Sequence, residues 1–124
     1  MLMLKRKDTC PVDYRMCNQT VTVYHKDGDT VTRTVHTNAF FDFKKTQNVD
    51  KTGSREVNSF LLVIPCATQA VFVGDKVLHG VGGEIATPEE WAAFIPAKVP
   101  NLVVVKYVDP KYWGDQMIHV EAGG

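Results

Sequence analysis

The stretch TVTVYHKDGDTVTRTV, residues 20–35, decides the fold. Its apolar residues alternate with polar ones, which is the two-residue period of a half-buried strand. Val21 and Val23 share one face, Val31 and Val35 follow after Asp27 and Gly28, and the whole reads as a β-hairpin. Facing residues of an antiparallel pair share a face, so Val23 meets Val31 only across a loop of odd length. That parity predicts a three-residue loop, Lys26-Asp27-Gly28, with Gly28 left-handed in a bulged turn. A two-residue Asp27-Gly28 turn would instead set Val23 against Thr32.

Working outward, residues 1–18 carry no period and read as an arm, leaving a single domain over 19–124. Downstream, NAFFDFKK predicts a third strand, and the polar run TQNVDKTGSREV predicts a long flexible loop, taken as residues 44–57. The apolar run FLLVI before Pro65 predicts a strand covered on both faces. Residues 70–73 and 76–79 add two short strands around a Gly74-Asp75 turn.

A short helix is expected over 87–95, with Thr87 as N-cap, Pro88 at N1 and Glu90 completing a capping box. Its Trp91, Phe94 and Ile95 face must pack on a sheet, because two turns do not hold themselves. Residues 102–108 and 116–122 form a second hairpin around the loop DPKYWGD. The class is therefore mainly β: a small β-barrel or sandwich of about seven strands, with one short α-helix plugging an end and a long inserted loop.

Composition narrows the function. The 124 residues hold 14 basic and 14 acidic side chains, which is not the basic excess of a dedicated nucleic-acid binder. No apolar run approaches the ~20 residues of a membrane helix, and the short apolar start precedes its charges, unlike a signal peptide. A soluble protein made in a cytosol, with no membrane partner, is expected. Cys10, Cys17 and Cys66 fit no zinc spacing, and His25, His36, His79 and His119 form no ligand motif, so no metal is expected.

The glycine-rich segment VFVGDKVLHGVGGEIATPEEW, residues 71–91, tests for a phosphate site. Gly80, Gly82 and Gly83 match neither the P-loop nor the dinucleotide spacing. Glu84, Glu89 and Glu90 crowd the helix start and repel an anion. A turn and flexible link to the helix is the expectation, with His79 lacking a chemical partner. The nearest acid/base pair is His119 with Glu121, two apart on one strand face. With no nucleophile beside it, no catalytic residue, cofactor or enzymatic activity is expected. Tyr107, Tyr112 and Trp113 cluster near the C-terminal loop and read either as interface anchors or as a Trp covering the barrel end, with His119 and Glu121 among the candidate interface residues.

The order of these features resembles the small minor capsid, or head–tail connector, proteins of tailed phages and prophages. The carriers are Val73-Gly74-Asp75-Lys76-Val77, the capped TPEEW helix, and the closing run YVDPKYWGDQMIHVEAGG. The resemblance covers residues 19–124 and implies a head-closure or stopper subunit in the virion neck. Such subunits form a homo-oligomeric ring, taken as a hexamer or dodecamer, below the portal and adaptor, dock the tail and retain packaged DNA without sequence specificity. It implies that the loop, with Lys44, Lys45, Lys51, Arg55 and Glu56, lines the channel or reaches a neighbour. A tail terminator or tail-completion protein, and a small-barrel module binding peptide or nucleic acid, are the competing readings.

Overall fold

The computed structural model describes residues 12–50 and 53–124, with backbone alone for 45–50 and 53–58. Strand β1 (Gln19–Asp27) and the long β2 (Thr30–Asp50) form the expected hairpin, but in a different register. Asp27 pairs with Thr30 and Val23 with Thr34, so the turn is the two-residue Gly28-Asp29. Gly28 takes φ 63° and no other residue of the turn is left-handed, as expected for a glycine-first hairpin turn. The valine parity fails because only Val21 and Val23 belong to the core; Val31 lies opposite Lys26 and Val35 is exposed.

Five further strands complete one antiparallel sheet: β3 (Gly53–Pro65), β4 (Lys76–His79), β5 (Leu102–Val104), β6 (Tyr107–Trp113) and β7 (Gln116–Gly123). Their spatial order is β5-β4-β1-β2-β3-β7-β6. The edge strands β5 and β6 are joined by Val105 and Lys106 alone, a link only about 10 Å long when fully extended. The sheet must therefore curl until its edges approach. Val105 exchanges backbone hydrogen bonds on the β4 side with Asp75 (2.9 Å) and Gly74 (2.8 Å), while Lys106 turns to Gly123 on the β7 side (2.8 Å). The result is a half-barrel around Val21, Val23, Phe41, Leu62, Val77 and Val120.

The mainly β class, with a single short helix among the described residues, is as expected; several boundaries are not. The run from Phe60 to Ile64 alternates buried and half-buried residues, so β3 has one core face and one partly covered face. Residues 70–73 form no strand, because Asp75 folds them back: its Oδ2 accepts from Phe72 N at 2.8 Å. The expected strand 102–108 splits at Val105, where the chain crosses between sheet edges. The expected loop DPKYWGD is mostly strand, closed by Gly114-Asp115, with Gly114 at φ 64°. It repeats the glycine-first turn of the first hairpin.

Helix α1 (Pro88–Ala93) is shorter than expected, with Phe94 as its C-cap. The capping box is present: Thr87 Oγ1 accepts from Glu90 N at 3.1 Å, and Glu90 Oε1 from Thr87 N at 3.1 Å. The helix buries no residue and does not plug the half-barrel. Instead Phe94 packs edge-on against Tyr24, with ring centroids 4.8 Å apart. Tyr24 points away from the Val21/Val23 face, so α1 covers the outside of β1. Trp91 meets Lys76, whose Nζ lies 4.2 Å from the ring and donates to the Trp91 carbonyl at 2.6 Å. A cation from β4 thereby supplies the charge that the last turn of α1 lacks, and its burial holds the amine below the usual lysine range.

Candidate assembly surfaces

The expected loop over 44–57 is a β-ribbon. β2 and β3 stay in continuous register from Phe40↔Val63 out to Asp50↔Gly53. Lys44 stands opposite Ser59, Lys45 opposite Asn58, Arg55 opposite Asn48 and Glu56 opposite Gln47; Lys51 lies outside the described residues. The other neighbours stop earlier: β7 pairs with β3 only from Leu61 to Pro65, and β1 with β2 only as far as Ala39. Beyond Phe43 and Phe60 the ribbon thus projects as a free arm, about 20 Å long at the usual rise per strand residue. Its sequence has the charges of a loop because it has no core to face, and backbone pairing alone makes it a strand pair. Lys44 is exposed and only loosely paired with Asp42, at 3.9 Å.

An apolar cleft of about 240 Å³ opens at the base of this arm, lined by Phe43, Phe60, Pro96, Leu102 and Val103. Gly124 closes one side; a Cβ there would lie 2.9 Å from the Val104 carbonyl oxygen. Phe41 and Phe60, 5.9 Å apart, carry the cleft wall into the core.

The C-terminal hairpin presents the three expected aromatics. Tyr107, Tyr112 and Trp113 are 50%, 56% and 41% exposed. Strict alternation would send Tyr112 to the buried face of Val108 and Ala122. Tyr112 is exposed nonetheless; a register slip after Lys111 pairs it with Met117 and passes over Ile118. Tyr107 covers Gly123, where a Cβ would come within 2.5 Å of the tyrosine hydroxyl. Lys111 and Asp109 pair at 2.7 Å, and that carboxylate holds the Lys111 amine above its usual range.

His119 and Glu121 do not join this exposed patch. His119 is 8% exposed and bonds on both ring nitrogens, to Tyr14 Oη at 2.6 Å and to Glu121 Oε2 at 3.1 Å. Alternation in β7 foretold the histidine–glutamate pair; Tyr14, far off in sequence, was not foreseeable. The three groups satisfy one another and fasten residues 12–18 to the sheet.

The glycine-rich segment is a pinned strap, not a flexible link. Thr22 Oγ1 donates to the Gly80 carbonyl at 2.7 Å and accepts from Gly82 N at 3.0 Å. Tyr24 Oη donates to the Gly83 carbonyl at 2.7 Å, and Arg33 Nε to the Gly82 carbonyl at 2.8 Å. Gly82 is required by this closeness, since a Cβ would lie 2.0 Å from Tyr24 Oη. The Glu90 carboxyl, bonded to the N–H groups of Ala86 and Thr87, is held below its usual range and occupies the helix start. His79 stacks on Phe41 at 5.3 Å.

Sequence reasoning missed a part-buried contact between His25 and Asp75. Asp75, 2% exposed, accepts from His25 Nδ1 at 2.6 Å, and the His25 ring leans on Phe72 at 5.0 Å. These contacts fix the turn that carries exposed Phe72 and Val73. The hint was parity, which sets His25 on the face of Val21 and Val23. Cys17 and Cys66 are free, and burial raises both thiols. Among the described residues no group of three potential metal ligands exists, and no helix is long and apolar enough to cross a membrane. No curated protein and no solved structure matches the chain. A family model described as a family of unknown function, DUF6751, matches residues 16–124, and the chain belongs to that family.

Proposed function

We propose that the protein is a non-enzymatic ring subunit at the head–tail junction of a tailed phage or prophage. In this reading it sits in the virion neck, closes the head below the portal and adaptor, helps retain packaged DNA, and docks the tail. The observation that carries the reading is the projecting β2–β3 arm. A two-stranded ribbon with no apolar face is marginal on its own in water, so its retention on a compact half-barrel favours a partner that covers it. The resemblance of residues 73–77 and of the closing run to connector proteins supplies the identity of the assembly. The arm's mixed charges suit a channel in which DNA passes without sequence readout.

The test mixes the purified chain with portal and tail proteins and follows native mass and negative-stain images. Rings of this chain between portal and tail are the expected result. A chain that stays monomeric in their presence contradicts the proposal.

A further inference from the structure

The long strand β2 is partnered on different sides along its length. From Thr30 to Ala39 its neighbour is β1, and from Phe40 onward it is joined by β3, whose last residue is Pro65. Over residues 30–38 the side of β2 away from β1 therefore has no strand on it among the described residues. Parity identifies the groups that point there. A two-residue hairpin makes Asp27↔Thr30 the doubly hydrogen-bonded pair, and bonded pairs then alternate through His25↔Thr32 and Val23↔Thr34. Val31, Arg33 and Val35 consequently aim their N–H and C=O groups outward, away from β1. Apart from those groups the edge is well made for pairing. It contains no proline and is rich in β-branched residues, and its single full charge, Arg33, is tethered through Nε to the Gly82 carbonyl.

The edge of β6 is built in the opposite way. It carries Pro110 at its middle, the register slip at Tyr112 and the Asp109–Lys111 ion pair. Each of these is a device that discourages a further strand. The outer edge at β6 is thus blocked, whereas the bare side of β2 over residues 30–38, a local edge within the sheet, is left receptive.

We infer that the receptive edge, residues 30–38, accepts the β3 side of the arm of a second copy, residues 53–59, as an added strand. This rests on the ring reading above and names the contact that builds the ring. The arm's β3 side, past the Phe60 N–H to Gly124 carbonyl bond, has no further strand on it among the described residues and has no lysine or proline, whereas its β2 side begins with Lys44 and Lys45. Charge complementarity agrees: the edge offers Arg33 and no acid, and residues 53–59 offer Glu56 on the strand face opposite to that of Arg55. Edge and arm are different parts of one chain, so the contact is head-to-tail and leaves both partners able to bind again. Such contacts close into rings when the rotation between successive copies closes.

The full chain carrying Val35→Pro tests this. The substitution removes an outward N–H that β1 does not use, at an edge position where proline is tolerated. Val35→Lys, on an exposed side chain, is the second variant, since edge lysines oppose pairing. Both variants should melt like the wild type while the ring fraction in native mass, at equal concentration with portal and tail proteins, falls at least about tenfold. Should Val35→Pro fail to fold, Val35→Lys decides. Rings formed by Val35→Lys as readily as by the wild type overturn the edge contact and leave the ring reading standing. A wild-type chain that never assembles overturns both.

Discussion

The strap over residues 80–83 and the arm formed by 44–50 and 53–59 look alike in sequence and are opposites in the fold. Both are short of apolar residues, and both interrupt the strand pattern. The strap has no regular structure, yet Thr22, Tyr24 and Arg33 hold its backbone against the outside of β1 and β2. The arm is regular throughout its described backbone, yet no third strand pairs with it. Regular hydrogen bonding and attachment to the core are therefore separate properties. The strap contributes to stability and the arm is available for contact.

The comparison breaks first at Gly82. Gly82→Ala forces a methyl into Tyr24 Oη and Leu78, and should cost about 3 kcal/mol by overpacking. Urea unfolding of the isolated chain measures it; a wild-type midpoint would show the strap to be loose. Tyr24→Phe keeps the ring against Phe94 but strands the Gly83 carbonyl. A loss of about 1 kcal/mol is expected, read from the same curves. Thr87→Ala removes the cap of a helix that buries nothing. It should cost about 1 kcal/mol or less and show as faster amide exchange confined to residues 87–94.

A smaller effect probes β2 between Arg33, which holds the strap, and the start of the arm. His36, opposite Val21, lies just before the register shift at Ala39, and its Nε2 is buried with no hydrogen-bond partner among the described residues. Burial depresses its pKa in the folded state. The unfolded chain then takes up the proton first as pH falls below about 6.5. Stability should be complete above that pH and decline through the window below it. Urea midpoints at pH 7.5 and 5.5 for wild type and His36→Gln test the sign: the decline should be shallower in the variant.

How much of this was legible depended on where the determinant lay. Alternation in TVTVYHKDGDTVTRTV gave the hairpin, and Thr87, Pro88 and Glu90 gave the helix start, because those signals are local. The turn was expected at Lys26-Asp27-Gly28 and lies at Gly28-Asp29, because valine parity assumed that Val31 faces the core. Burial on β2 is instead set by the curl of the sheet, and Gly28 and Gly114 each open a two-residue turn before an aspartate. Strap and arm were both misjudged, since attachment through Tyr24 and pairing between 44–50 and 53–59 are tertiary facts. Of the candidate site, Tyr107, Tyr112 and Trp113 emerge exposed, whereas His119 is drawn inward by Tyr14.

The central claim is that the half-barrel stands without the arm and that assembly requires it. Replacing residues 47–56 by an Asn-Gly turn closes the ribbon at Thr46↔Val57. Paired measurement of that variant's urea midpoint and of its native mass with portal and tail proteins tests the claim most directly. The account predicts stability within about 0.5 kcal/mol of wild type together with loss of the ring. An unfolded variant, or one that assembles as the wild type does, would contradict it.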